Sequence, residues 1–332
     1  MFPAVYRLPG SRYSSAYCSA ALLLSLLMPL GCRGAALALT SDKKPELSTS
    51  PLAASAKEAF RSTLLAGDYT ALDLVAEKLT AAYLASPHDP DLALYIAHAH
   101  FWRVAERTRE PAQRALITDH LAIAELYFVE ATGLRPNDHR IPGWLGGVKM
   151  ALGRIHGNER KSREGYFLIE DGVNRFPEFN HFSKSYILSN LPASHARFRD
   201  GLEAMWKSIE VCNAAGIDRR APDYRAFYRQ AADLSGSLRV CHNLPVAPHN
   251  FEGFFLHNGD VLVKAGEPEA AKVMYANARL APSFAEWPYR EALEERIRTA
   301  QVRAEAFQNI DQQRWPEMMA ASSMACTGCH QR

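Results

Sequence analysis

Cysteine is scarce in this chain, six in 332 residues. That is too few for a disulfide scaffold, and a chain of this length can build its own core without one. An excess of one charge is lacking as well. The 38 Lys and Arg stand against 36 Asp and Glu, a formal net charge of +2. No basic run alternates with aromatics, which argues against a nucleic-acid partner. From about residue 56 to about residue 312, β-branched runs and Asn-Gly turns are rare, so strands are not expected. Gly-x-Ser-x-Gly and His-Glu-x-x-His are missing, and Gly146-Gly147 follows no strand. Hydrolytic and phosphate-cradling chemistry therefore has no sequence support.

Long apolar runs are also absent, apart from residues 20–30 (AALLLSLLMPL) behind Arg7 and Arg12. That is the layout of a secretory signal peptide, too short to span a bilayer, and it assigns residues 1–38 to export into a bacterial periplasm. Two processing sites compete. Leu30-Gly31-Cys32 resembles a bacterial lipobox, with Pro29 where Leu is usual, and implies acylation of Cys32 and a membrane anchor. Ala36-Leu37-Ala38 offers release instead. Residues 39–55, rich in Ser and Pro, read as a tether.

Residues 56–312 read as all-α. A small–large–small pattern followed by proline recurs as Val75-Leu79-Ala82-Pro87, Ala124-Phe128-Ala131-Pro136, Gly165-Ile169-Gly172-Pro177 and Ala271-Tyr275-Ala278-Pro282. Small residues let the second helix of a hairpin approach its neighbours, the large one fills the gap, and proline ends the helix. The arrangement resembles the tetratricopeptide repeat, most clearly at Phe255, Gly259, Leu262, Ala271, Tyr275, Ala278 and Pro282, with repeats longer than the usual length of about 34 residues. Between Pro177 and Pro282 helices are expected near residues 197–215 and 222–240, without the pattern. The resemblance implies a solenoid of stacked hairpins that binds a protein or peptide along one face. For Cys212 and Cys241, pairing and free thiols both stand as readings.

The last seven residues, Cys326-Thr327-Gly328-Cys329-His330-Gln331-Arg332, spell Cys-x-x-Cys-His, the c-type haem attachment signature. Two thiols so spaced each form a thioether with one haem vinyl group, and the adjacent histidine ligates the iron. The expectation is one covalent haem c in a tail at residues 313–332, bound through Cys326 and Cys329, with His330 as proximal ligand. A Cys326–Cys329 disulfide or free dithiol, and a metal site, are the competing readings. Met318 and Met319 are the sixth-ligand candidates, with His242, His249 and His257 as histidines to test; Met324 stands too near Cys326 to reach the opposite face. The placement departs from small cytochromes c, and from class II cytochromes c, which carry more helix after the motif. A haem on such a tail needs cover from the last repeats, an exposed edge, or a partner protein.

Other constellations weigh less. His98 and His100, near Glu106 and His120, suggest a metal, but residues two apart on a helix point in nearly opposite directions. Cys241-His242 lacks a first thiol, since Leu238 stands in its place. The mixed Glu and Arg of residues 290–313 read as a solvated helix face. The whole implies an exported, non-enzymatic protein carrying one haem in electron transfer or as a docking subunit for a redox partner. A haem-free repeat scaffold is the alternative, and peroxidase-like use of an open iron comes third.

Overall fold

The computed structural model describes residues 39, 42–110, 116–228, 235–241 and 251–331. The chain divides into two units, residues 1–44 and 45–332. In the first, only residues 39 and 42–44 are described, so the signal-peptide expectation and Cys32 lie outside the described residues, as do His242 and His249.

The second unit is all-helical among its described residues. Its helices are α1 (Pro51–Ala66), α2 (Leu72–Ala85), α3 (Pro90–Ala105), α4 (Leu116–Leu134), α5 (Ile141–Ile155), α6 (Glu159–Arg175), α7 (Pro177–Leu188), α8 (Ala196–Asn213), α9 (Arg225–Tyr228), α10 (Phe251–Ala265), α11 (Pro268–Ala276), α12 (Arg290–Phe307) and α13 (Thr327–His330). None is long and apolar enough to cross a membrane. Consecutive helices pack in pairs, α1 on α2, α3 on α4, α5 on α6, α7 on α8 and α10 on α11, and α12 closes against α10 and α11.

The recurring pattern lands on the second helix of four of these pairs. Leu79, Phe128, Ile169 and Tyr275 are fully buried with their small companions. Close approach is the physical reason. A Cβ on Gly146 would stand 2.4 Å from the Gly165 carbonyl oxygen, and one on Gly259 would stand 2.2 Å from the Tyr275 ring. Only glycine admits those contacts.

Local caps set the starts. Ser50 accepts from the Ala53 N–H and Pro51 opens α1, inside the stretch that the sequence reads as a tether. Asp89 caps α3, takes the Ser48 N–H at 2.8 Å and pairs with Lys57 at 2.6 Å, pinning the chain ahead of α1 to the second hairpin. In the patternless region, α8 matches the expected helix, whereas of residues 222–240 the described part holds only α9 and a tight turn at Gly236–Cys241. Cys241 forms a disulfide with Cys212, with Cα atoms 5.5 Å apart.

The apolar interior falls into two main clusters, one from α1 to α5 and the other from α8 to α12. The tail lies where they meet. Cys326 packs against the first cluster, while Met318, Met319 and Cys329 belong to the second. Cover for the tail thus comes from the first hairpin as well as the last.

Candidate functional site

The motif residues form one helical turn. The Cys329 and His330 N–H groups both donate to the Cys326 carbonyl, at 3.0 and 2.9 Å. Residues three and four apart share a helix face, so both cysteines and His330 are gathered on one turn. The Cys326 and Cys329 thiols are not joined to each other.

So short a helix does not hold itself; side chains far away in sequence hold it. Glu106, fully buried at the end of α3, accepts the Cys326 N–H and the Thr327 N–H at 2.8 Å each on one oxygen. The Thr327 hydroxyl donates to the same oxygen at 3.1 Å. The other Glu106 oxygen pairs with Arg109 at 2.7 Å. Tyr289 Oη donates to Thr327 Oγ1 at 2.9 Å, and Trp287 Nε1 donates to the Gly328 carbonyl at 3.3 Å. The Gln331 side chain rests against Gly67, the left-handed residue that ends α1.

A second anchor fixes the approach to the motif. Asp260 of α10, fully buried, accepts the Met319 N–H at 2.7 Å and the Tyr275 hydroxyl at 2.7 Å, and it pairs with Arg296 and with Arg303 at 3.3 Å. Arg296 is itself buried, so the α12 charges are not all the solvated face expected of residues 290–313. They neutralise the carboxylate that holds the tail.

Cys326 packs against a small cluster of Ala105, Tyr186, Ala320 and Ala325, as do Phe101, Trp144 and Phe182. Burial pushes the Cys326 thiol well above its ordinary range, with Glu106 and then Cys329 adding to the effect. Burial likewise raises Cys329, with Glu252 next. The Tyr186 phenol is raised first by burial, then by the two thiols and Glu106. Its hydroxyl finds no hydrogen-bond partner. The Tyr186 ring lies 4.9 Å from that of His257, which is fully buried with neither ring nitrogen partnered and is lowered by burial to about 4. His257 stands three residues before Asp260, on the side of α10 that meets the tail.

The sequence-named residues thus divide. Cys326, Cys329 and His330 come together. Met318 and Met319 are buried beside them, but a Cβ on Gly328 would stand 2.9 Å from the Met319 methyl, so that thioether lies on the backbone of the motif itself. His100 and His120 meet, with Nδ1 atoms 2.9 Å apart, while His98 packs edge-on to Phe128. Among the described residues no three His, Cys, Asp or Glu side chains are grouped to hold a metal ion. Tyr186, Trp287 and Asp260 carried no sequence signal, and Glu106 was legible only as a neighbour of histidines. No protein family, curated protein or solved structure matches this chain.

Proposed function

We propose that Cys326 and Cys329 carry one covalent haem c with His330 as proximal iron ligand, and that the chain acts in electron transfer or as a haem-bearing docking protein. One observation carries the reading: two unjoined thiols and an imidazole share a single half-buried turn beside aromatic side chains, next to a Tyr186 hydroxyl and His257 nitrogens that have no partner among the described residues. Buried polar atoms usually find a partner, and a haem beside these would give them one.

Cys326 and Cys329 would hold the haem through thioethers, each S–H adding across one vinyl group with no net oxidation. When bound, the haem supplies one-electron chemistry. The side chains do the rest. His330 would hold the iron, Glu106, Tyr289 and Trp287 fix the turn that carries it, and Phe101, Trp144 and Phe182 exclude water. As a second iron ligand His257 would suit better than Met318 or Met319, because its nitrogens have no partner among the described residues whereas Met319 is packed on Gly328.

The paired helices with buried small–large–small faces support a tetratricopeptide-like array. The Cys212–Cys241 disulfide supports an oxidising, exported location. The test is a pyridine haemochrome spectrum and intact mass of protein made alongside a c-type maturation system. An α-band and a gain of one haem mass are expected. A missing band, or one surviving Cys326→Ala with Cys329→Ala, refutes the reading. A loss of two hydrogens beyond the Cys212–Cys241 bond instead marks the haem-free scaffold.

A further inference from the structure

Beside the motif lies a cavity of about 460 Å³, within the size range of small-molecule sites. Phe101, Ile117, Leu121, Val148, Ile187 and Leu191 form apolar walls. Its polar lining is one-sided: Arg107, Arg154, Arg197, His195 and Tyr186 face it with Ser162 and Asn190, and no Asp or Glu does.

None of the three arginines makes an ion pair among the described residues. Among the described residues Arg107 donates only to the Val104 carbonyl, in the last turn of the preceding helix α3, at 3.1 Å. Arg197 lies over the Tyr166 ring at 4.2 Å. Arg107 is disfavoured as a cation by burial and then by Arg154, so the two guanidinium groups repel each other across an apolar space. The Tyr186 hydroxyl, on a side chain 7 % exposed, has no partner. A desolvated Arg107 without a counter-ion is costly, and arginine's planar fork matches a carboxylate.

We propose that this cavity binds a carboxylate borne on an apolar body, with Arg107 and Arg154 pairing with the oxygens and the Tyr186 hydroxyl donating to them. Two sources share that chemistry. One is the propionate edge of a haem held by Cys326 and Cys329, which rests on the reading above. The other is a free alkanoic acid, which does not.

The experiment has two arms. In the first, the full-length Cys326→Ser/Cys329→Ser chain is titrated with decanoate by calorimetry. Binding that weakens at least about tenfold in Arg107→Gln or Arg154→Gln, and not in Arg160→Gln on exposed α6, supports the free acid; tenfold corresponds to about 1.4 kcal/mol. In the second, the midpoint potential of haem-loaded protein is followed against pH. Arg107→Gln or Arg154→Gln is expected to introduce a pH-dependent potential, because a carboxylate deprived of its cation takes up a proton on reduction. His195→Gln, run in parallel, removes the imidazole that faces the cavity. Arg154 is exposed, so its variant folds whatever becomes of Arg107→Gln. No decanoate binding, together with an unchanged potential profile in both arginine variants, overturns the proposal. If haem never attaches, which the haemochrome assay reports separately, the decanoate arm decides alone.

Discussion

Cys326 donates its backbone N–H to Glu106 Oε1 at 2.8 Å, across 220 residues of chain. The carboxylate serves the terminal turn as a helix cap would, supplying an acceptor and negative charge to N–H groups that the turn itself leaves unpaired. Glu106→Ala orphans two buried N–H groups and leaves Arg109 unpaired, and is expected to cost about 3 kcal/mol. Glu106→Gln keeps one acceptor oxygen and costs less. Urea unfolding gives the magnitude, and hydrogen exchange of residues 326–330 shows whether the tail is released first.

His257 gives the second expectation. In haem-loaded protein, His257→Ala should convert a low-spin ferric electron paramagnetic resonance spectrum to high spin and open the ferrous iron to carbon monoxide. Added imidazole should restore the original spectrum. Met319→Leu should leave it unchanged. A His257→Ala protein that stays low-spin with haem attached removes this histidine from the iron.

Lys264 is 2 % exposed and has no carboxylate partner among the described residues. Its Nζ donates to the Ser189 carbonyl at 2.7 Å and lies 4.8 Å from the Trp315 ring centre. Burial lowers its pKa to about 8 from 10.5. Between those values the unfolded chain holds the proton and the folded chain does not, so stability rises with pH through this window. The cost of the buried charge, present below about pH 8, is of the order of 3 kcal/mol. The stability difference between wild type and Lys264→Met should therefore drift in favour of wild type as pH rises from about 7.5 to about 10, in denaturation series at fixed ionic strength.

The Cys212–Cys241 disulfide closes a separation of 29 residues between the end of α8 and the turn at Gly236–Cys241. Cys212→Ser with Cys241→Ser should lower stability by about 3.6 kcal/mol, the loop-closure value for that length. Thermal unfolding with and without reductant checks it: reductant should lower the midpoint of wild type and leave that of the variant unmoved.

Helix class and packing faces were open to reading because they are periodic. Val75, Leu79 and Ala82, or Ala271, Tyr275 and Ala278, reveal a buried stripe wherever the period is 3.6 residues. The start of α1 was misplaced because Ser50 and Pro51 lie in a stretch whose Ser and Pro content resembles a linker, and only Asp89, in the next hairpin, ties it down. The motif at Cys326–His330 announces its own chemistry. Its surroundings do not, since no local pattern links Glu106 to Thr327, Asp260 to Met319 or Tyr186 to the thiols. The pairing of Arg296 with Asp260 shows the same limit, because a charge on a helix looks solvated until the opposing carboxylate is known.

Cys329 ends inside the fold and Cys326 half-buried beside it, and burial raises both thiols. A thiol so raised is a poor nucleophile, and a turn tied to Glu106, Tyr289 and Trp287 is not free to reach an attaching enzyme. A chain that receives its cofactor at Cys326 and Cys329 must therefore receive it while the terminus still hangs free, which makes loading the step before closure. A chain that closes early would be sealed empty.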